Sequence, residues 1–142
     1  MHQVILINCL VVVVVVFIHY EVLLRLAQLL GRLGPNLHRS RVVLAVLGAL
    51  VAHALEVWVF AGGYYLMHHA DTFGHLTGNF TGSLMDCAYF SFTVFSTLGF
   101  GDIEPFGAIR YLAGIEALTG LMLITWSASF LFIEMQRYWP NR

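Results

Sequence analysis

The sequence predicts an all-α membrane protein: three transmembrane helices, with a shorter re-entrant helix between the second and the third. Three observations carry this. Of 142 residues, 59% are hydrophobic and only 11% charged, whereas a soluble domain carries about 25% charged residues; the mean hydropathy is +0.80. Three apolar stretches each reach the ~20 residues that a spanning helix needs. Arginine, with no lysine beside it, supplies all 7 strongly basic side chains and gathers at one end of those stretches. A net charge of −1 with no basic patch gives no footprint for a nucleic-acid partner.

The first helix falls within residues 1–33 and includes the unbroken valine block 11–16. It has no positively charged leader, and Glu21 and Arg25 follow the apolar run without a small-residue cleavage site. It therefore reads as a retained transmembrane helix rather than a signal peptide. Cys9 within it is a small buried hydrophobe. Cys9 and Cys87 share no CxxC or Cys/His spacing, so neither a disulfide nor a metal site is expected of them. The turn at 31–41 carries the breakers Gly31, Gly34, Pro35 and Asn36. It also holds Arg32, Arg39 and Arg41, with Arg25 just before it.

Residues 41–137 form the second unit, whose outer helix spans 42–67. Arg137 and Arg142 lie beyond the last helix. The positive-inside rule makes the arginine side cytoplasmic, so the N-terminus lies outside and the C-terminus in the cytoplasm. The segment from 67 to 109 is then external; it carries Asp71, Asp86, Asp102 and Glu104 and no arginine before Arg110. Trp58, Tyr64 and Tyr65, and at the other end Tyr138 and Trp139, suit interfacial belts. His53 and Glu56 share one face of the outer helix. Such a pair serves either as a hydrogen-bonded packing contact or as a proton-sensing contact reaching Glu116. His68, His69 and His75 read as polar groups of the outer loop, in the range where protonation occurs near neutral pH.

Residues 71–82 are polar and glycine-bearing, which predicts an exposed loop. Ser83 and Asp86 offer a start resembling a capping box, with Asp in place of Glu. A helix over 84–96 follows, about four turns long. That is too short to cross a bilayer and suits a half-helix that enters and returns. The last helix spans 109–135. Its Glu116 is a carboxylate inside a span, a placement that requires a partner and points to a structural role. Gly120 serves either close helix packing or a hinge.

The return path is Ser96-Thr97-Leu98-Gly99-Phe100-Gly101-Asp102. A cation crossing a narrow pore must exchange its water shell for other oxygens, and rings of backbone carbonyls supply them, with a threonine hydroxyl adding a further layer. Aiming successive carbonyls at one axis requires dihedrals that side chains disfavour, and glycine at alternate positions permits them. Non-helical backbone at membrane depth is tolerated only where it is buried in protein or lines a watery path. Gly-x-Gly alone is a weak signal; Thr-x-Gly-aromatic-Gly-Asp between a half-helix and a spanning helix is far more specific.

With these residues in place, the segment 41–137 resembles the pore domain of the potassium channel superfamily, whose filter is typically Thr-Val-Gly-Tyr-Gly-Asp. It looks most like small bacterial channel subunits with little beyond the pore. The resemblance implies a homotetramer in a bacterial inner membrane, with 97–102 as selectivity filter and 84–96 as pore helix. It implies K+ bound at Thr97, Leu98, Gly99 and Phe100, and Gly101 completing the outer mouth. Asp102, Thr93 and Glu116 would support the filter. Gly120 matches a gating glycine, and Leu121, Ile124 and Ala128 would face the inner cavity.

The only cofactor-like species implied is permeant K+, and no enzymatic activity is implied. Two departures stand out: Leu98 replaces Val or Ile, changing how the filter packs on its half-helix, and Phe100 replaces Tyr, losing a hydroxyl. No helix has arginines at every third position, so no voltage sensor of the usual kind is expected, nor is a cytoplasmic ligand-binding domain. Three other readings compete. They are a weakly selective cation channel, a non-conducting pore-like partner subunit, and a haem-binding electron carrier. The last needs axial histidines on facing helices, and among the histidines only His53 was expected deep in a span.

Overall fold

Among the residues that the computed structural model describes, 2–33, 38–70 and 72–138, lie four helices and one short two-stranded antiparallel sheet. In order they are α1 (His2–Arg32), α2 (His38–His69), β1 (His75–Gly78), α3 (Leu84–Phe95), β2 (Ile103–Phe106) and α4 (Ile109–Tyr138). Helices α1, α2 and α4 are long and apolar enough to cross a membrane. The protein is thus an all-α membrane protein with three spans. Residues 34–37 of the arginine turn, together with Asp71, Trp139 and Arg142, lie outside the described residues.

Helix α2 is the hub, packing on α1, α3 and α4. One apolar cluster joins Phe60 and Met67 of α2, Cys87 and Phe90 of α3, and Ile109 and Leu112 of α4, all buried. A smaller cluster at the opposite end seats Leu23, Leu26 and Leu30 of α1 against Ala45 of α2, with Phe130 and Leu131 of α4 beside them. The outer faces stay apolar: Leu6, Val13 and Phe17 on α1 and Val43, Leu47 and Leu50 on α2 are exposed. A helix that is apolar all round is the signature of a lipid-facing span. Gln3, Val4 and Ile5 line a groove with Thr72, Phe73, Ala108 and Tyr111. The start of α1 therefore lies at the same end as the segment between α2 and α4.

Cys9, expected to be buried, is exposed, and two further features differ from the sequence expectation. Within the predicted exposed loop 71–82, residues 75–78 form a strand antiparallel to 103–106, with His75 opposite Phe106 and Gly78 opposite Ile103. Each strand has four residues, too few for a period-2 pattern to register, and the partners lie on opposite sides of α3 in sequence. Gly78 makes the pairing possible: its φ is +96°, and a Cβ there would overlap the Asp102 carbonyl oxygen. The second difference is Tyr64, which is wholly buried rather than part of an interfacial belt. Trp58 and Tyr65 do lie exposed.

Candidate functional site

The site begins with the way α3 is capped. Ser83 sits in an extended conformation, and its hydroxyl accepts the Asp86 N–H at 3.1 Å. The reciprocal half of the expected capping box is redirected. The Asp86 carboxylate accepts from the Thr81 N–H at 2.8 Å and the Thr81 hydroxyl at 2.5 Å. These bonds to Thr81 hold the Asp86 carboxyl below its usual range.

At the other end, the carbonyls left over by the last turn of α3 are taken up by the chain that follows. The Ser96 N–H donates to the Phe92 carbonyl at 3.2 Å. The Thr97 N–H donates to Val94 O at 2.9 Å, and the Gly99 N–H to Thr93 O at 3.0 Å. Thr93, expected as a support, therefore acts through its carbonyl. Its buried hydroxyl turns back to Phe90 O at 2.8 Å.

Beyond Ser96 the backbone alternates. Thr97 has φ +60°, Gly99 +53° and Gly101 +79°, while Leu98 and Phe100 are not on the positive side. In a pleated strand successive residues point to opposite faces; alternation across φ = 0 instead turns successive peptide units to a common side. Glycine takes such dihedrals freely. For the β-branched Thr97 the same conformation is an outlier, of order 1–3 kcal/mol, and such strain gathers at functional sites.

This strand is uncovered: Leu98 and Phe100 are each 64% exposed. Leu98 therefore does not pack on its own half-helix as expected, because α3 is engaged through backbone bonds and the side chain points away from its core. Phe100 stacks on Tyr89, with ring centroids 6.5 Å apart at 22°. Asp102, half-buried, accepts the Tyr89 hydroxyl at 2.9 Å, and that bond raises the Tyr89 phenol above its usual range. The Asp102 carbonyl accepts the Asn79 N–H at 2.8 Å.

Behind the strand, Glu116 is fully buried. It accepts hydrogen bonds from Tyr64 of α2 and from Ser91 of α3, the latter at 2.5 Å. The Ser91 oxygen also lies 2.9 Å from Val57 O. One carboxylate on α4 thus ties three helices together, which satisfies the need of a polar group in a span for partners. His53 and Glu56 do not reach Glu116. Glu56 instead bridges His53, at 2.9 Å, and His19 of α1, at 2.7 Å. His19 is wholly buried within a span, so His53 is not alone there. The two Nδ1 atoms converge on one carboxylate.

Gly120 is buried against the end of α3, where a Cβ would overlap the Phe95 carbonyl oxygen. Leu121, Ile124 and Ala128 are exposed at i, i+3 and i+7 of α4, a single helical face. The residues passed over in the sequence are Tyr89, Ser91 and His19, while Tyr64 was read only as an interfacial residue. Their shared signal was a polar tip within an apolar run, which at membrane depth demands a partner. Which partner each one takes depends on tertiary packing.

A family model described as "Ion channel" matches residues 43–137. That segment contains most of α2, all of α3 and the strand that follows it, and α4 to its penultimate residue; α1 lies before it. No curated protein and no solved structure matches the chain.

Proposed function

Because the chain belongs to this ion channel family, we propose that four copies surround one axis and conduct K+ passively through rings of backbone carbonyls. Thr97, Leu98, Gly99 and Phe100 supply the carbonyls, the Thr97 hydroxyl adds the innermost oxygen layer, and Gly101 shapes the outer mouth. Asp102, Thr93 and Glu116 hold the strand from behind. Gly120 seats the inner helix against the pore helix, and Leu121, Ile124 and Ala128 line the water-filled vestibule.

The observation that carries this reading is the alternating backbone of 97–101 on a strand its own subunit leaves uncovered. One chain provides one such strand, and a carbonyl cage needs strands from several sides. The chain is oriented with its N-terminus outside and its arginine turn in the cytoplasm, by the positive-inside asymmetry. The test is ion flux from the purified chain alone in liposomes. Selective K+ flux over Na+ is expected. Bi-ionic reversal potentials near zero would establish a weakly selective cation channel instead, and no flux would point to a non-conducting partner subunit.

A further inference from the structure

The His19–Glu56–His53 cluster takes no part in the conduction path proposed above, yet it gathers three metal-ligating side chains in the membrane-spanning part of the fold. His19 and Glu56 are wholly buried, and His53 is 17% exposed. Their candidate ligand atoms all lie within 4.8 Å of one another. We propose that His19, His53 and Glu56 bind one divalent transition-metal ion of the Zn2+ class, which fastens α1 to α2.

Charge supports an ion here. Among the described residues, the ion-pairing partners of Glu56 are the two imidazoles. Two neutral imidazoles can hydrogen-bond a carboxylate but bring no countercharge, and an uncompensated carboxylate inside a span is costly. A divalent cation supplies that charge.

The donor set selects the metal. Two imidazoles and one carboxylate suit Zn2+ and its first-row neighbours, whereas Mg2+ and Ca2+ prefer shells made wholly of oxygen. Three protein ligands leave a fourth tetrahedral position for water. Ligand bonds of about 2.0–2.2 Å place neighbouring donor atoms about 3.4 Å apart in a tetrahedron. At present His19 Nδ1 lies 2.7 Å from Glu56 Oε1 and His53 Nδ1 lies 2.9 Å from Oε2, so the carboxylate turns to offer one oxygen and the imidazoles shift to the tetrahedral spacing, a side-chain adjustment.

A second observation points the same way. The His19 Nε2 is buried with no hydrogen-bond partner, so His19 is held only through Nδ1. Coordination through Nδ1 moves the ring proton to Nε2; the Trp126 indole of α4 is the aromatic neighbour of this ring, with centroids 5.1 Å apart. An aromatic ring accepts such an N–H weakly. The proton stays on the imidazole, so the change is balanced within the ring. Glu56 and His53 belong to the matched segment 43–137, and His19 does not. The ion would therefore join the additional helix to the pore unit.

The test uses the untagged full chain in detergent, with Co2+ as probe and Zn2+ as competitor. Co2+ is expected to give the visible d–d bands of a tetrahedral site, displaced by Zn2+. Loss of an outer-shell partner typically weakens a site 10–100-fold, so His19→Ala and Glu56→Gln, which remove a ligand, are expected to weaken Co2+ binding by about 100-fold or more. His75→Ala, in the outer hairpin, is expected to bind as the parent does. His19→Cys guards against simple misfolding. It should retain Co2+ and add a thiolate-to-cobalt charge-transfer band in the near ultraviolet that the parent lacks. No d–d bands in the parent at saturating Co2+ would overturn the proposal. So would bands of unchanged affinity in both His19→Ala and Glu56→Gln, or a Co2+-loaded His19→Cys without the charge-transfer band.

Discussion

Gly101 has φ +79° with nothing within 4 Å of where a Cβ would stand, so alanine there meets a dihedral problem and no steric one. Left-handed backbone costs an L-residue about 1–2 kcal/mol, and a fourfold ring would repeat the cost in every subunit. Gly101→Ala is expected to abolish flux in liposomes while circular dichroism and elution volume stay those of the parent. A conducting, selective variant would refute the backbone assignment. Leu98 poses the complementary question. Its side chain is exposed in the single chain, so in the proposed ring it is free to pack against a neighbouring copy. Leu98→Val is expected to raise the K+/Na+ permeability ratio, and an unchanged ratio would clear Leu98 of any loosening effect.

Among the elements, α3 is held at both ends, and each end offers a measurement. At its start, the Asp86 carboxyl is lowered in the folded chain from an ordinary value of 3.8. Its contribution to stability is therefore present above that ordinary value and lost as pH falls through the lowered one. Asp86→Asn is expected to unfold earlier than the parent at neutral pH, with the gap closing below about pH 4; thermal melts at both pH values check this. At its end, Gly120→Ala forces a methyl group into the Phe95 carbonyl. Overpacking of this kind costs about 1–3 kcal/mol, so the variant is expected to melt at lower temperature, whereas Gly114→Ala, with open space around it, is expected to melt near the parent.

The helices and the alternating backbone of 97–101 were legible because length, apolarity and glycine spacing are local signals. The hairpin, the Tyr64–Glu116–Ser91 group and the His19 contact were not. Each joins residues far apart in the chain, and neither His19 nor Tyr64 carries a mark that names its partner.

At the scale of the whole molecule, the end that the proposed orientation places outside carries acidic groups, among which Glu104 is exposed on β2. Fourfold assembly would multiply that charge around the mouth. The field it sets up is screened beyond about 8 Å at physiological ionic strength, so its effect belongs to dilute salt. Single-channel conductance of Glu104→Gln is expected below that of the parent at low K+ and equal to it at high K+; equality at both would place Glu104 away from the ion path. The hairpin bears on assembly in another way. By pairing Gly78 with Ile103, it joins the two ends of the segment that holds α3 and residues 97–101. In the proposed ring, each copy can therefore shape its own strand before it meets another. The ordering entropy is then spent during the folding of one chain. Formation of the ring becomes the docking of preformed parts, a step whose cost falls as its components are made rigid beforehand.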